Sequence, residues 1–330
     1  MRLKWPLTGR NEELQSIADA MSDPTLAGIV LCGAAGVGKS RVARDALHAM
    51  ASTQTRTRWA VGTASARALP LGAFASWAPP AADSLQLVRG VIDSLTTTPA
   101  GSDVVLGVDD AHLLDDLSVF VLHQIIQRRA AKIILTIRDG EPMPPGLEDV
   151  RSSGELGRLD LQPLSREETS TLLAATLDGP VASDTAQRLW ALTRGNALYL
   201  RNIVDQEVAD GRLARCRGTW TWTGDIAIPS SLVELIESRM RGLPPAAGEV
   251  VDLLAVGEPL DLAALRRIAD PVGIEEAEVR GLITLKSNDV RLAHPLYGEV
   301  RRARAAQTRL RRLPKTGTTN RDELAALLSR

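Results

Sequence analysis

The sequence predicts an α/β fold in which a parallel sheet is flanked by helices, followed by helix-rich segments and a late pair of short strands. Three observations carry this. Apolar runs of strand length, at Ile29–Cys32, Val104–Val108 and Lys132–Ile137, alternate with stretches of helical composition, as in a sheet buried on both faces. The segment Ile29–Ser40, IVLCGAAGVGKS, runs from such a strand through a glycine-rich turn into a helix. From Ser165 onward the period becomes helical, with Gly179-Pro180 and Gly195-Asn196 as breaks.

The glycine-rich turn is the most informative element. Gly33, Gly38, Lys39 and Ser40 fill the four fixed positions of GxxxxGK[ST]. In this P-loop the backbone N–H groups wrap phosphate oxygens, the lysine reaches the outer phosphates and the hydroxyl binds Mg²⁺. Glycines allow the close approach, and the opening helix adds its positive end. Ala34, Ala35, Gly36, Val37 and Arg41 complete the expected nucleotide contacts. Cys32 reads as a small buried filler.

Taken in order, a first helix is expected over Asn11–Met21, where Leu14, Ile17, Ala18 and Met21 share a face and Thr8 or Asn11 would cap the start. After the P-loop helix come a short strand at Arg58–Ala64 and a helix over Asp83–Leu95. The apolar run Val104–Val108 ends in Asp109-Asp110, so it presents carboxylates at the C-terminal end of a buried strand, where open α/β sheets bind ligands. Asp109 is the natural partner of an Mg²⁺ ion already held by Ser40 and the phosphates. Asp110 is placed to orient or deprotonate an attacking water.

A helix over Leu117–Arg129 leads to the strand Lys132–Ile137 and to Arg138, read either as a γ-phosphate contact or as a surface arginine. The tract 142–146 reads as a loop and Gly154–Leu161 as the last strand. Helices follow at Glu167–Leu177, Asp184–Thr193 and Ala197–Asp210, then a hairpin in Gly211–Thr223 and a helix over Leu232–Arg241 capped by Ser230 or Ser231. Helices near Gly248–Val256, Leu262–Ala269 and Ile274–Arg280 precede strands around Leu282–Lys286 and Val290–Ala293, a winged-helix arrangement. Six arginines lie between Arg301 and Arg312 with no acid among them, read as a solvated helix face or a contact for nucleic acid or an acidic partner. Asp322–Leu328 reads as the start of a helix interrupted by the chain end, which suggests a piece of something longer. The organisation expected is a P-loop NTPase α/β domain at 1–161, a helical domain at 162–242 and a winged-helix-like domain with a basic C-terminal helix at 243–330.

Composition narrows the classes. The chain has 330 residues, 44% of them apolar, and a net charge of −1, enough for real cores and without general attraction to nucleic acid or anionic membrane. Two cysteines, Cys32 and Cys216, without metal-ligand spacing argue against a disulfide framework or a zinc site. No apolar run approaches a membrane span, and the start lacks a signal peptide. A cytoplasmic protein is expected.

The motifs LTGRNEEL, GAAGVGKS, VVLGVDDAHLLDD, IILTIRDGE, LTRGNALYL, IPSSLVELIESRM and LAHPLYGEV resemble the STAND-type signalling ATPases, AAA+/NB-ARC-like proteins, and among them the ATPase module of large LuxR-family transcriptional regulators. The resemblance implies three domains clamping ATP or ADP. It implies Gly9 and Arg10 near the base and ribose, Arg138 as γ-phosphate sensor, Gly195-Asn196 as the helical domain's contact with the nucleotide, and His294 at the ADP β-phosphate. Ala197 stands where the family usually has proline, which would loosen the Asn196 contact. The wing would serve as an intramolecular lid, with DNA read only by a C-terminal domain beyond this chain, and self-association would follow ATP binding. Slow Mg²⁺-dependent hydrolysis would reset such a switch. Three other readings compete: an AAA+-like remodelling or DNA-loading ATPase, a non-catalytic winged-helix DNA-binding module, and a small-molecule kinase.

Overall fold

The computed structural model describes residues 3–52, 54–80, 83–98, 102–223 and 228–304. These divide into two compact units: Pro6–Pro163, and the segment from Leu164 onward together with the N-terminal residues through Trp5.

The first unit begins with α1 (Asn11–Ser22) and β1 (Gly28–Gly33), then α2 (Lys39–Met50), β2 (Thr55–Val61), the single turn α3 (Ala64–Arg67) and α4 (Ser84–Thr96). It continues through β3 (Asp103–Asp109), α5 (Asp116–Gln127), β4 (Lys132–Arg138), α6 (Pro145–Ser152) and β5 (Leu156–Asp160). The strands form one parallel sheet in the order β2-β3-β4-β1-β5. After β1 the chain crosses to the far edge, returns through β3, and inserts β4 beside β1. In register, Gly33 of β1 lies beside Arg138 of β4, and Val108 of β3 beside Leu135. This brings the C-terminal ends of β1, β3 and β4 together where the strand succession reverses, the usual place for a ligand in open sheets.

Strand alternation divides the core. Ile29, Leu31, Val105 and Ile134 pack with Ile17, Val42 and Leu47 of α1 and α2. Val30, Cys32, Leu106, Val108, Ile133 and Leu135 pack with α4, α5 and Phe74 on the other face. Gly107 faces the α2 side, and a Cβ there would meet the Trp59 ring at 2.5 Å, so the glycine makes room for the indole on which the Arg44 guanidinium stacks at 4.8 Å.

Several local expectations are corrected. Neither Thr8 nor Asn11 caps α1, whose N-cap position is Arg10 without a side-chain cap. The second strand starts at Thr55 and ends at Val61, and 64–67 are helical. The tract 142–146 is not all loop, because Pro145 occupies the first helical position of α6, where its missing N–H costs nothing.

The second unit contains α7 (Arg166–Leu177), α8 (Ser183–Thr193) and α9 (Ala197–Ala209), the hairpin β6 (Leu213–Cys216) and β7 (Thr219–Trp222), and α10 (Ser230–Arg239). There follow α11 (Pro245–Val256), β8 (Leu260–Asp261), α12 (Leu262–Ile268), α13 (Pro271–Val279), β9 (Ile283–Lys286), β10 (Asp289–Leu292) and α14 (Pro295–Arg304). A capping box of Ser165 and Glu168 starts α7. Neither Ser230 nor Ser231 caps α10, which follows Pro229. The strands β8, β10 and β9 pair antiparallel in that order; the two-residue β8 was too short to expect from the sequence.

One apolar core runs through this unit, from Leu173 and Leu200 to Leu254, Leu296 and Val300. Glu207 is buried within it, accepting from Arg212 at 2.8 and 2.9 Å and from the Trp222 indole N–H at 2.7 Å. The basic C-terminal segment is only partly described. Arg301 turns inward to Asp252 at 2.6 Å, while Arg302 stays exposed, pairing with Glu299 and donating to the Ala255 carbonyl. Arg309 to Arg312 and the expected helix at Asp322–Leu328 lie outside the described residues.

Candidate functional site

The P-loop lies between β1 and α2 with the backbone its motif requires. Gly33, Gly36 and Gly38 have φ of 152°, 86° and 109°. At Gly33 a Cβ would meet the Leu161 carbonyl oxygen at 2.6 Å, and Gly38 is the left-handed N-cap of α2, with no side chain capping the helix. The amides of Lys39 and Ser40, which open α2, therefore have no capping side chain at the positive end of the helix. Val37 is buried against Gly33 and the sheet, while Ala34, Ala35 and Gly36 line the half-exposed curve of the loop.

Lys39 is buried, and its ammonium donates to the carbonyls of Gly33 at 2.7 Å and Ala34 at 2.9 Å. Burial weakens its hold on its proton, and the charge of Asp110 opposes that change. Ser40 donates to Oδ1 of Asp109 at 2.7 Å. Thr136, buried in β4, donates to the same oxygen at 2.6 Å and accepts from the Asp110 N–H at 2.9 Å. No described residue donates to Oδ2 of Asp109. The hydroxyl of Ser40 and the carboxylate of Asp109 thus converge as a divalent-ion site of this kind needs.

Among the described residues no group of three or more His, Cys, Asp or Glu would hold a metal alone. The remaining ligands of an Mg²⁺ ion here would be phosphate and water, its usual preference. The donor set fits the ion.

Asp110 stands at φ 50°, ψ 51°, a left-handed turn that ends β3 and opens the 3₁₀ turn Ala111–Leu113. Arg138 grips its carboxylate with two donors, at 2.7 and 3.2 Å. The pair is partly open to solvent. Both arginine and aspartate therefore lie at the P-loop end of the sheet, paired with each other.

The other expected nucleotide contacts are distributed as follows. Gly9 has φ 75° in an exposed turn. Arg10 is buried and donates to Glu13 at 2.5 Å and to the Gln162 carbonyl at 2.7 Å, so it ties the start of α1 to the chain after β5. Arg41 points to solvent and pairs with Asp45 one turn on. In the second unit Asn196 caps α9, accepting from Tyr199 N–H at 3.2 Å. His294 also lies there. Its Nδ1 accepts from Leu296 N–H at 3.2 Å, which leaves the proton on Nε2, 2.8 Å from the Thr193 carbonyl. Burial pushes this imidazole down to about 4.

Two polar residues at the sheet end escaped the sequence reading. Thr136 is the single hydroxyl in the apolar run KIILTIR, and a polar residue within a fully buried strand is the available signal. His112 follows the two aspartates and is buried in the 3₁₀ turn.

No family model matches the sequence, and no curated protein matches it. Among solved structures, the Walker-type ATPase of Pyrococcus abyssi is similar over 90% of this chain and 96% of its own, with a TM-score of 0.57 and 15% identity. A Signal Transduction ATPase with Numerous Domains carrying a tetratricopeptide repeat sensor, from Pyrococcus horikoshii, matches 93% of this chain and 44% of its own at TM-score 0.41 and 18% identity. The Aeropyrum pernix ORC1 protein in complex with DNA matches 93% and 95% at TM-score 0.49 and 18% identity. The last two likenesses are too loose to argue from. With its five parallel strands, its P-loop and this first structural likeness, the chain has the fold of the P-loop ATPases.

Proposed function

We propose that the chain binds ATP and ADP with Mg²⁺ at the P-loop and works as a nucleotide-dependent switch with slow hydrolysis. The observation that carries this is the meeting of Ser40 and Asp109 at 2.7 Å, at the start of α2 and beside Lys39.

The amides of the loop and of the first turn of α2 would hold the phosphate oxygens, and Lys39 would leave the Gly33 and Ala34 carbonyls for the outer phosphates. Ser40 and Asp109 would hold the ion, with Thr136 fixing the carboxylate through Oδ1. A bound Mg²⁺ would neutralise the charge on the polyphosphate. Arg138 would turn from Asp110 toward the γ-phosphate, and Asp110, thereby released, would orient the attacking water. In that exchange lies the difference between ATP and ADP that a switch requires, since a ligand shifts an equilibrium only by its differential affinity for two states.

The motif resemblance supports a narrower reading: a STAND-type module of a LuxR-family regulator that self-associates with ATP bound. In this reading the second unit holds a helical domain at 162–242 and a winged-helix domain from 243. The order α11, α12, α13 followed by the β9–β10 hairpin supports the latter assignment. His294 would have to give up its hydrogen bond to the Thr193 carbonyl to touch phosphate, whereas Asn196 caps α9 through its oxygen. A DNA-binding role for the second unit is less favoured, because α13 exposes Val272, Glu275, Glu278 and Val279 and offers no cation on that face.

Two experiments test the proposal. Mass spectrometry of the nucleotide that copurifies, with the oligomeric state before and after exchange to a non-hydrolysable ATP analogue, is expected to show an adenine nucleotide and a larger assembly with the analogue. An unchanged assembly would remove the switch. Asp110→Asn is expected to keep Mg·ATP affinity and slow single-turnover hydrolysis by about 100-fold, and an unchanged rate would remove its role.

A further inference from the structure

His112 lies two residues beyond Asp110, in a turn that packs against β4 and α3. It is only 5% exposed. Its Nδ1 is enclosed and has no hydrogen-bond partner among the described residues. A buried ring nitrogen without a partner is uncommon enough to require an explanation, and burial next to the reactive groups of a cleft is where such groups acquire functional roles.

The charges acting on the imidazole are those of the P-loop end of the sheet. Asp110 is the strongest, followed by Arg138, Glu141 and Lys39. Burial outweighs them and lowers the affinity of the ring for a second proton, so His112 is neutral near pH 7 and carries one N–H and one bare nitrogen.

The second observation is the partner of Asp110. Its carboxylate is gripped by both donors of Arg138, and no other described side chain bonds to it. If Arg138 swings to a γ-phosphate, the carboxylate loses both side-chain hydrogen bonds at the moment it must point at a water. The imidazole two residues along the same turn has an unspent hydrogen-bonding site, and Asp110 is the charge that acts on it most strongly.

We propose that His112 is a positioning residue that takes over Asp110 when Arg138 leaves it, donating from Nδ1–H to the carboxylate and holding it toward the attacking water. The inference rests on the nucleotide reading above and deepens it. It assigns a sequence of partners: Arg138 on Asp110 when no γ-phosphate competes, His112 on Asp110 when one does. The imidazole neither touches substrate nor exchanges a proton with it.

The partner exchange can be read without nucleotide or turnover. In protein labelled with ¹⁵N-histidine, the His112 signal is assigned by its loss in His112→Asn. Arg138→Ala removes the competing partner, and a hydrogen-bonded Nδ1–H resonance of His112 is expected to appear. It should vanish again in Arg138→Ala combined with Asp110→Gly, which removes the acceptor and suits the left-handed backbone at this position. A His112 signal that is the same in wild type and in Arg138→Ala would overturn the proposal.

The hydrolysis arm uses His112→Phe, which fills the space without a donor, and His112→Asn, whose amide nitrogen replaces Nδ1. The phenylalanine variant is expected to bind Mg·ATP within about twofold of wild type while single-turnover hydrolysis falls about 10–100-fold. The asparagine variant should recover most of that loss. Equal rates for wild type and His112→Phe, or no recovery with asparagine, would contradict a positioning role. Absence of ATP binding by the wild type would defeat the nucleotide reading instead, and the resonance arm would still decide on the exchange.

Discussion

The molecule contains two arginine–carboxylate forks of nearly the same geometry and opposite surroundings. Arg138 holds Asp110 at 2.7 and 3.2 Å at the open end of the parallel sheet. Arg212 holds Glu207 at 2.8 and 2.9 Å within the helical unit, where the carboxylate is fully enclosed and also accepts from Trp222. Half-exposed pairs contribute little to stability because water competes for both partners. An enclosed carboxylate must keep its donors, since losing them leaves a charge in a poor solvent. The first pair is therefore free to change partners, which suits a site; the second is held in place, which suits a scaffold.

The largest effect should come from breaking the buried fork. Arg212→Ala leaves the Glu207 carboxylate with only the indole donor of Trp222, and a loss of about 3–5 kcal/mol in urea unfolding is expected. A loss below about 1 kcal/mol would erase the distinction between the two regions.

A second fixed polar group gives a pH signature. In the folded chain His294 stays neutral down to about 4, whereas the unfolded chain takes up that proton near pH 6.5. The depressed value means that the contribution is complete above pH 6.5 and is lost as pH falls toward 4. The loss amounts to about 3 kcal/mol at most. Urea melts between pH 7 and 4.5 should therefore be steeper in pH for wild type than for His294→Gln. Parallel curves would contradict the buried neutral imidazole.

The smallest effect is expected at the exposed fork. Arg138→Ala should change stability by less than about 1 kcal/mol while altering the response to ATP, and a larger loss would make this pair a scaffold element as well.

The same contrast explains what could be read from the sequence. The P-loop, the two aspartates and Arg138 were legible because each sits at the end of an apolar strand, where strand period and motif spacing coincide. Thr136 was not, since a hydroxyl inside KIILTIR gains its meaning only when β4 is inserted between β1 and β3, a matter of strand order rather than of local pattern. His112 was passed over for a related reason: its neighbours are set by the left-handed turn at Asp110. The start of α6 at Pro145 was hidden by a proline-rich tract that looked like a loop. Glu207 carried no signal as a buried charge, because a glutamate on a helix normally faces water and only the fold brings Trp222 and Arg212 to it.

The most direct test of the account is calorimetric titration of Mg·ATP into wild type and Lys39→Ala. Binding by the wild type and a loss of at least about 100-fold in the variant are expected, since the lysine supplies the one buried ammonium of the loop. Equal affinity in the two proteins, or no binding by folded wild type, would contradict the assignment of the P-loop as a nucleotide site.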